Sequence, residues 1–240
     1  MIYVMSDIHG YYNSFIRMLE KINFTEEDTL YILGDLIDRG PQGIKLIEYC
    51  RNNPNIIVLK GNHEYMLETY KRDEQMNKCW LRSGGLDTLD ELESNYGANS
   101  EYEKDIVSWI EKLPLFMEVS VGGESYLLTH AGLSKELFDK YCKRNKYGKF
   151  HKIDLPDLFE WAVEYLDWND SNILWSKGIF DSKFIFTKGS LVVGHTPTSS
   201  KKIEKKKKVY NIDCGSYEKG GALGCLCLDN LKEFYVKVID

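Results

Sequence analysis

Three short apolar segments near the start of the chain each run into glycine and polar residues at nearly equal intervals. The segments cover residues 2–8, 29–33 and 55–59, and a helical pattern follows each of them. A strand–helix unit repeated in this way predicts parallel strands joined by right-handed crossovers. The carboxyl ends of parallel strands lie at one edge of a sheet, where open α/β sheets bind ligands. The polar residues after the three segments are therefore expected to meet at one place.

Candidate metal ligands occupy these strand ends and the ends of two later predicted strands. They are Asp7, His9, Asp35, Asn62, His130 and His195. Asp35 follows Asp7 by 28 positions and Asn62 follows Asp35 by 27, about one strand–helix unit each time. A single Asp or His at a strand end is more often a turn former or a helix cap, so the prediction rests on the whole set. Oxygen and imidazole ligands without thiolate favour Mn, Fe or Zn over Ca and disfavour a structural zinc site.

Composition excludes several other classes of protein. The 240 residues fit one domain, and a net charge of −6 argues against a dedicated nucleic-acid binder. No apolar stretch has the length of a membrane span, and the first residues lack the basic region of a signal peptide. The six cysteines are scattered, which is typical of a reducing compartment, and Cys225 and Cys227 are expected on one buried strand face. We expect a single cytoplasmic domain over residues 1–240.

The remainder of the chain is expected to complete the fold around this edge. Residues 73–113 have a helical, polar-faced pattern, and 115–129 predict a hairpin around Gly122-Gly123. Residues 133–172 are rich in lysine and aromatic residues and are interpreted as a cap; His151, inside them, is interpreted as a surface residue. Closing strands with antiparallel pairing are predicted at 191–193, 209–212, 222–228 and 231–238.

Five motifs taken together resemble a known signature. They are Asp7-Ile8-His9-Gly10, Gly34-Asp35-Leu36-Ile37-Asp38-Arg39-Gly40, Gly61-Asn62-His63-Glu64, His130-Ala131-Gly132 and Gly194-His195-Thr196-Pro197. This ordered set resembles the calcineurin-like metallophosphoesterases, and its extended second and third motifs resemble the phosphoprotein phosphatase branch, with a length similar to the lambda-phage-type bacterial serine/threonine phosphatases. The resemblance implies an α/β fold of four layers, α/β/β/α, with a central two-sheet β-sandwich flanked by helices.

The resemblance also implies roles for individual residues. Asp7 and His9 would bind one metal ion, Asp35 would bridge two ions, and Asn62, His130 and His195 would complete the second site. Arg39 would clamp the phosphate together with Asn62, and His63 would be the general acid, oriented by Asp38. The implied reaction is direct in-line hydrolysis by a hydroxide held between two divalent ions. We expect Mn²⁺, with Fe or Zn as alternatives.

Three weaker features remain open. Lys177, in Trp175-Ser176-Lys177, stands where the resembling families carry a second phosphate-binding arginine; a substrate contact and a surface lysine are equally good interpretations. The lysine run at 201–208 is interpreted as a solvated hairpin loop rather than a docking patch for polyanions. Asp213 is interpreted either as a partner of a metal-bound imidazole or as a turn former.

Together these features predict a metal-dependent phosphomonoesterase. We expect a serine/threonine or dual-specificity protein phosphatase that acts on phosphorylated proteins or small phosphate esters, without membrane or dedicated nucleic-acid binding. One alternative is a symmetrical diadenosine tetraphosphatase, which would use the same core and differ in the cap. An alternative of another class is a catalytically inactive metal-binding interaction module, whose mark would be missing ligands; none is missing from the motifs.

Overall fold

The repeated strand–helix units form one side of a five-stranded sheet. The computed structural model describes residues 1–133, 152–154, 173–177 and 185–238. The strands of this first sheet are β1 (Ile2–Met5), β2 (Thr29–Ile32), β3 (Ile56–Val58), β11 (Ala222–Cys227) and β12 (Glu233–Lys237). Their order is β12-β11-β1-β2-β3, with β1, β2 and β3 parallel and β11 antiparallel to both of its neighbours. The predicted parallel repeat is confirmed.

A second five-stranded sheet is built from the later part of the chain. Its strands are β4 (Phe116–Val121), β5 (Glu124–Thr129), β8 (Ser190–Val193), β9 (Glu204–Lys206) and β10 (Val209–Asn211), in the order β4-β5-β8-β10-β9. The hairpin of β4 and β5 forms as predicted. A separate two-stranded parallel pair joins β6 (Lys152–Asp154) and β7 (Ile185–Lys188).

The prediction of antiparallel pairing among the closing strands is wrong for β8, and for β10 where it pairs with β8. β8 pairs in parallel with β5 and with β10. The lysine run explains this result, because β9 forms an antiparallel hairpin with β10 and brings β10 back alongside β8 in the same direction. The run is thus part of a hairpin, as predicted, although its residues 204–206 are a strand rather than loop.

The described helices lie in the first half of the chain. They are α1 (Tyr12–Ile22), α2 (Gly43–Arg51), α3 (Asn62–Thr69), α4 (Glu74–Trp80), α5 (Leu86–Tyr96) and α6 (Glu101–Glu111). α3 begins at Asn62, and the Glu64 carboxylate closes its first turn by accepting a hydrogen bond from the Gly61 N–H. A kink over Leu81–Gly85 joins α4 to α5, with φ of 107° at Gly84.

Successive side chains of a strand point to opposite faces of the sheet, and this divides the core into two layers. On β1, Tyr3 and Met5 pack with the helices, whereas Val4 packs with the second sheet. Cys225 and Cys227 share the helix side, as predicted, and belong to the same cluster as Met5. The two mixed sheets with their flanking helices have the α/β sandwich architecture that the resemblance implies. No helix among the described residues is long and apolar enough to cross a bilayer.

Part of the predicted cap cannot be compared with the structure. Of residues 133–172, only Leu133 and the short strand β6 fall within the described ranges. His151 lies outside the described residues.

Candidate active site

Polar side chains from both sheets meet at the carboxyl ends of β1, β2, β5 and β8. Ligand atoms of His9, Asp35 and His63 lie within 4.8 Å of one another, and those of Asp35, His130 and His195 form a second group of the same size. Asp35 is common to both groups. The sequence therefore predicted the place where these residues meet, and the structure adds that the two groups are adjacent through a single carboxylate.

Backbone carbonyls orient two of the imidazoles. The Nδ1 atom of His9 donates to the carbonyl of Ile37 at 3.0 Å, and that of His130 donates to the carbonyl of Leu33 at 2.9 Å. Because a carbonyl only accepts, the proton of each neutral ring lies on Nδ1 and the lone pair lies on Nε2. In both rings that lone pair belongs to the site, which is the arrangement that a metal-binding imidazole requires.

Electron-pair donors converge around His130 in a way that suits a cation. Its Nε2 atom lies 2.8 Å from Asn62 Oδ1, 3.1 Å from His195 Nδ1 and 3.5 Å from Asp35 Oδ1. His195 Nδ1 is also 2.9 Å from Asn62 Oδ1. The Nε2 lone pair of His130 faces the oxygen lone pairs of Asn62 and Asp35, and such groups repel one another unless positive charge lies among them, so the residues fit a divalent transition metal ion.

Burial acts on the ionisation of the same residues. It raises the pKa of Asp35 well above its usual value, and the negative charges of Asp7 and Glu64 add to the rise. Burial lowers the pKa of His195 to about 2, helped by the neighbouring imidazoles and by the positive charge of Lys177. A bound cation opposes the first shift, because it stabilises the ionised carboxylate.

Asp7 connects the first strand with the loop after β8. Its Oδ2 atom accepts a hydrogen bond from the His195 N–H at 2.9 Å and another from the Ser6 hydroxyl. A side chain at Gly194 would place a Cβ atom 2.2 Å from the same oxygen, so only glycine permits this approach. Asp7 is not a member of either group of converging ligand atoms. Its Oδ2 atom therefore ties the His195 loop to the end of β1 at the edge of the site.

His63, a member of the first group, forms a buried pair with Asp38. The His63 Nδ1 atom donates to Asp38 Oδ2 at 2.5 Å, and its Nε2 atom lies 3.8 Å from Asp35 Oδ2. Burial raises the pKa of Asp38 to about 7, while hydrogen bonds from Thr88 and Trp80 oppose the rise. The contact between these two residues, predicted from the motifs, is present in the structure.

Arg39 reaches the site beside His9. Its Nη1 atom lies 2.6 Å from His9 Nε2, and its Nε atom donates to the Ser83 carbonyl at 3.2 Å. The guanidinium carbon lies 4.0 Å from the centre of the Tyr217 ring, which also meets the His9 ring edge to face at 5.0 Å. The cation therefore has an aromatic support on one face and a carbonyl acceptor at its base.

Backbone conformation at the site is unusual. Six non-glycine residues of the motifs have φ in the left-handed region: Asp7 (52°), His9 (51°), Asp35 (56°), Asp38 (70°), Arg39 (68°) and His195 (70°). Such conformations are uncommon outside glycine and cluster at functional sites. The Glu64 carboxylate holds part of this backbone, because it accepts hydrogen bonds from the N–H groups of Asp35 and Leu36 at 2.8 Å each.

Several residues that contact the motif residues in the structure were not among the predicted site residues. Tyr217, Trp80, Thr88 and the carboxylate of Glu64 all touch motif residues, yet only Glu64 stood inside a motif. Tyr217 lies two residues after Gly215, in the glycine-rich segment 215–221. A tyrosine in that segment was the available signal. Nothing local in the sequence marks the partners of Trp80 or Thr88.

The two open interpretations have different outcomes. Asp213 acts as a turn former, since its Oδ1 accepts the Gly215 N–H at 2.8 Å; no imidazole is among the hydrogen-bond partners found for it within the described ranges. Lys177 is exposed and lines a cleft of about 170 Å³ with Ser176, Gly194 and Thr196. Its charge reaches His195, so a place at the margin of the site is compatible with either interpretation of Lys177.

Comparisons with known proteins agree with the geometry. The family model described as calcineurin-like phosphoesterase matches residues 1–229. Serine/threonine-protein phosphatase 2 of Salmonella typhimurium is 28% identical over 244 residues, covering 98% of this chain and 93% of that protein. A symmetrical bis(5'-nucleosyl)-tetraphosphatase of Wigglesworthia glossinidia brevipalpis is 26% identical over 287 residues, covering 98% of each.

A solved structure supports the fold assignment. A protein serine/threonine phosphatase from Saccharomyces cerevisiae superposes with a TM-score of 0.60 at 18% identity, covering 100% of this chain and 80% of that one. At this identity the likeness concerns the arrangement of strands and helices.

Proposed function

The chain belongs to the calcineurin-like phosphoesterase family, whose members hydrolyse phosphoric esters, and from that premise we propose that it is a metal-dependent serine/threonine protein phosphatase. The observation that carries the proposal is that two groups able to hold a cation share Asp35, that Arg39 lies beside His9, and that His63, a member of the first group, is hydrogen-bonded to Asp38. Hydrolysis of a phosphomonoester requires positive charge to neutralise the phosphate oxygens, a water molecule that is deprotonated for attack, and a proton for the leaving alkoxide. Each requirement has a candidate residue here.

We propose the metal ligands that the motifs imply. Asp7, His9 and Asp35 hold one ion, and Asp35, Asn62, His130 and His195 hold the other. The His130 Nε2 lone pair beside Asn62 Oδ1, and the approach of His195 Nδ1 to the same oxygen, support the second set. When bound, divalent ions neutralise phosphate charge and lower the pKa of a bound water towards about 7. Mn²⁺ suits this oxygen and nitrogen donor set, and Fe or Zn are the alternatives.

His63 is proposed as the proton donor to the leaving group. Asp38 accepts the hydrogen bond from Nδ1, so Nε2 faces the interior of the site. To donate a proton there, the ring must be in the imidazolium form, with a second proton on Nε2. Arg39 is proposed to bind phosphate oxygens through its guanidinium, which offers two parallel N–H donors. Asn62 lies between the His130 and His195 rings and is proposed to contact substrate as well as metal.

Tyr217 should influence substrate binding through Arg39. Tyr217→Leu removes the ring beneath the guanidinium, and cation–π contacts of about 0.5–2 kcal/mol predict a KM for p-nitrophenyl phosphate raised roughly 2- to 30-fold. Tyr217→Phe keeps the ring and should raise KM less. Steady-state kinetics of both variants measures the difference, and equal effects in the two would show that the aromatic face does not support Arg39.

The substrate class is the part of the proposal that needs a direct test. The Salmonella relative named as a protein phosphatase covers nearly all of both chains, and the relative named as a tetraphosphatase does so too. Turnover of a phosphoserine peptide, a phosphotyrosine peptide and diadenosine tetraphosphate should be compared with Mn²⁺, Fe²⁺ and Zn²⁺. We expect the phosphoserine peptide to have the largest kcat/KM. A larger value for diadenosine tetraphosphate would favour the alternative, and no turnover with any metal would favour an inactive binding module.

Lys177 gives a test of a second phosphate contact. If Lys177 binds the ester, Lys177→Ala raises KM by about 3- to 10-fold, since a rim charge contributes about 1 kcal/mol, and Lys177→Arg restores or improves it. Lys219→Ala, an exposed lysine in the loop after Tyr217, is the control for a general loss of surface charge. An unchanged KM in Lys177→Ala removes the residue from the site.

A further inference from the structure

Two residues from outside the motifs donate hydrogen bonds to the carboxylate of Asp38. Trp80 ends α4 and Thr88 lies in the first turn of α5, on either side of the Leu81–Gly85 kink. We propose that Trp80 and Thr88 are positioning residues that fix Asp38 and thereby aim His63 at the leaving group. This inference deepens the proposed function and rests on it, because it concerns delivery of a proton during hydrolysis of the ester.

Every oxygen of Asp38 is engaged by a donor. The Trp80 Nε1–H donates to Oδ2 at 2.8 Å, the same oxygen that accepts from His63 at 2.5 Å. The Thr88 hydroxyl donates to Oδ1 at 2.6 Å and accepts from the backbone N–H of Asp38 at 3.0 Å. Trp80 and Asp38 are fully buried, and Thr88 is 1% exposed. Rotation of the carboxylate would therefore break at least one buried hydrogen bond, which is costly.

The kink brings the two donors together at one carboxylate. Trp80 and Thr88 are 42 and 50 positions from Asp38 in sequence, so only the fold brings the three together. Gly85 packs against the indole, and a Cβ atom there would lie 2.6 Å from the ring. Between the two donors, the Ser83 carbonyl accepts from Arg39. One segment outside the strand-end motifs thus holds both Asp38 and its neighbour.

If His63 is no longer correctly oriented, the fall in rate should depend on the leaving group of the substrate. Phenyl phosphate releases a basic phenolate and needs a proton in the transition state, whereas p-nitrophenyl phosphate releases an anion that is stable without one. Positioned acid catalysis contributes about 10²- to 10⁴-fold when the leaving group needs it. Loosening Asp38 should therefore slow phenyl phosphate much more than p-nitrophenyl phosphate, while a general loss of folded protein slows both equally.

The matched variants are Thr88→Val and Thr88→Ser. Thr88→Val keeps the shape but deletes the hydroxyl, and we expect kcat for phenyl phosphate to fall roughly tenfold with a change of less than about twofold for p-nitrophenyl phosphate. Thr88→Ser keeps the hydroxyl and should restore the wild-type ratio of the two rates. Thr69→Val is the control, because it deletes a buried threonine hydroxyl that donates to the Tyr65 carbonyl instead.

The outcomes separate this inference from the proposed function. If Thr88→Val slows both esters equally, or if Thr69→Val changes the ratio as much, the positioning role is overturned while the phosphatase proposal stands. Should Thr88→Val fail to fold, Trp80→Phe decides by the same ratio, since it removes the donor to Asp38 Oδ2. Absence of turnover of either ester by the wild-type protein with Mn²⁺, Fe²⁺ and Zn²⁺ would overturn the proposed function and, with it, this inference.

Discussion

Asp35→Asn is expected to lower kcat/KM for a phosphate ester by about 10³-fold and to reduce the metal content of the purified protein. Asp35 is the residue common to both groups of converging ligand atoms, and asparagine cannot supply a second anionic oxygen. Metal ions contribute several kcal/mol to stabilisation of the transition state, and each 1.4 kcal/mol is about tenfold in rate. Steady-state kinetics and elemental analysis of the same preparation measure both effects.

Thermal unfolding distinguishes this loss from simple misfolding. An ionised Asp35, 2% exposed and beside Asp7, is unfavourable in the metal-free protein, so the variant should melt at the same or a higher temperature without metal. Added Mn²⁺ should raise the Tm of the wild-type protein and leave that of the variant unchanged, because only bound ligand stabilises the fold. Asp90→Asn, an exposed aspartate on α5, is the matched control. A variant with normal metal content and normal turnover would contradict the bridging role.

His63→Asn tests whether this residue donates a proton or binds metal. As the general acid, its loss should slow phenyl phosphate by about 10²- to 10⁴-fold, slow p-nitrophenyl phosphate far less, and leave the metal content unchanged. The structure also places its Nε2 atom in a group with His9 and Asp35, so the test has a distinct alternative. A variant that loses metal and slows both esters alike would assign His63 to the metal ligands. His151→Asn, the histidine outside the motifs, is the control.

The sequence predicts the location of the site well because the relevant signals are local. Each candidate ligand follows an apolar segment and stands near glycine, and parallel strands must end at one edge. The short interval between Asp35 and Asn62 leaves room for one helix, which fixes β2 and β3 as neighbours. The two-sheet sandwich, in contrast, was expected only from the resemblance of the five ordered motifs to a known family.

The sequence could not predict contacts that depend on packing between distant segments. Trp80 lies in the helical pattern predicted over residues 73–113, and that pattern does not reveal that the indole N–H meets Asp38. Tyr217 similarly required the approach of the loop after β10 to Arg39. The direction of β8 was also mispredicted, because short alternating strands reveal their faces and leave open which neighbour they join. The Trp80–Asp38 contact, the Tyr217–Arg39 contact and the direction of β8 all depend on how distant segments pack, which residue type alone does not indicate.

The left-handed backbone at the motif residues bears on how this chain would change over generations. A non-glycine residue in that region costs of the order of 1 kcal/mol, although Asn, Asp and His adopt it more often than other residue types. Glycine or asparagine in place of His9, Arg39 or His195 would relieve the backbone strain. The replacement would also delete buried contacts, such as the hydrogen bond from His9 to the Ile37 carbonyl, so side-chain packing opposes the relief of strain. Among related sequences, glycine or asparagine at these three positions would fit the backbone and would mark lineages that have abandoned the chemistry while keeping the fold.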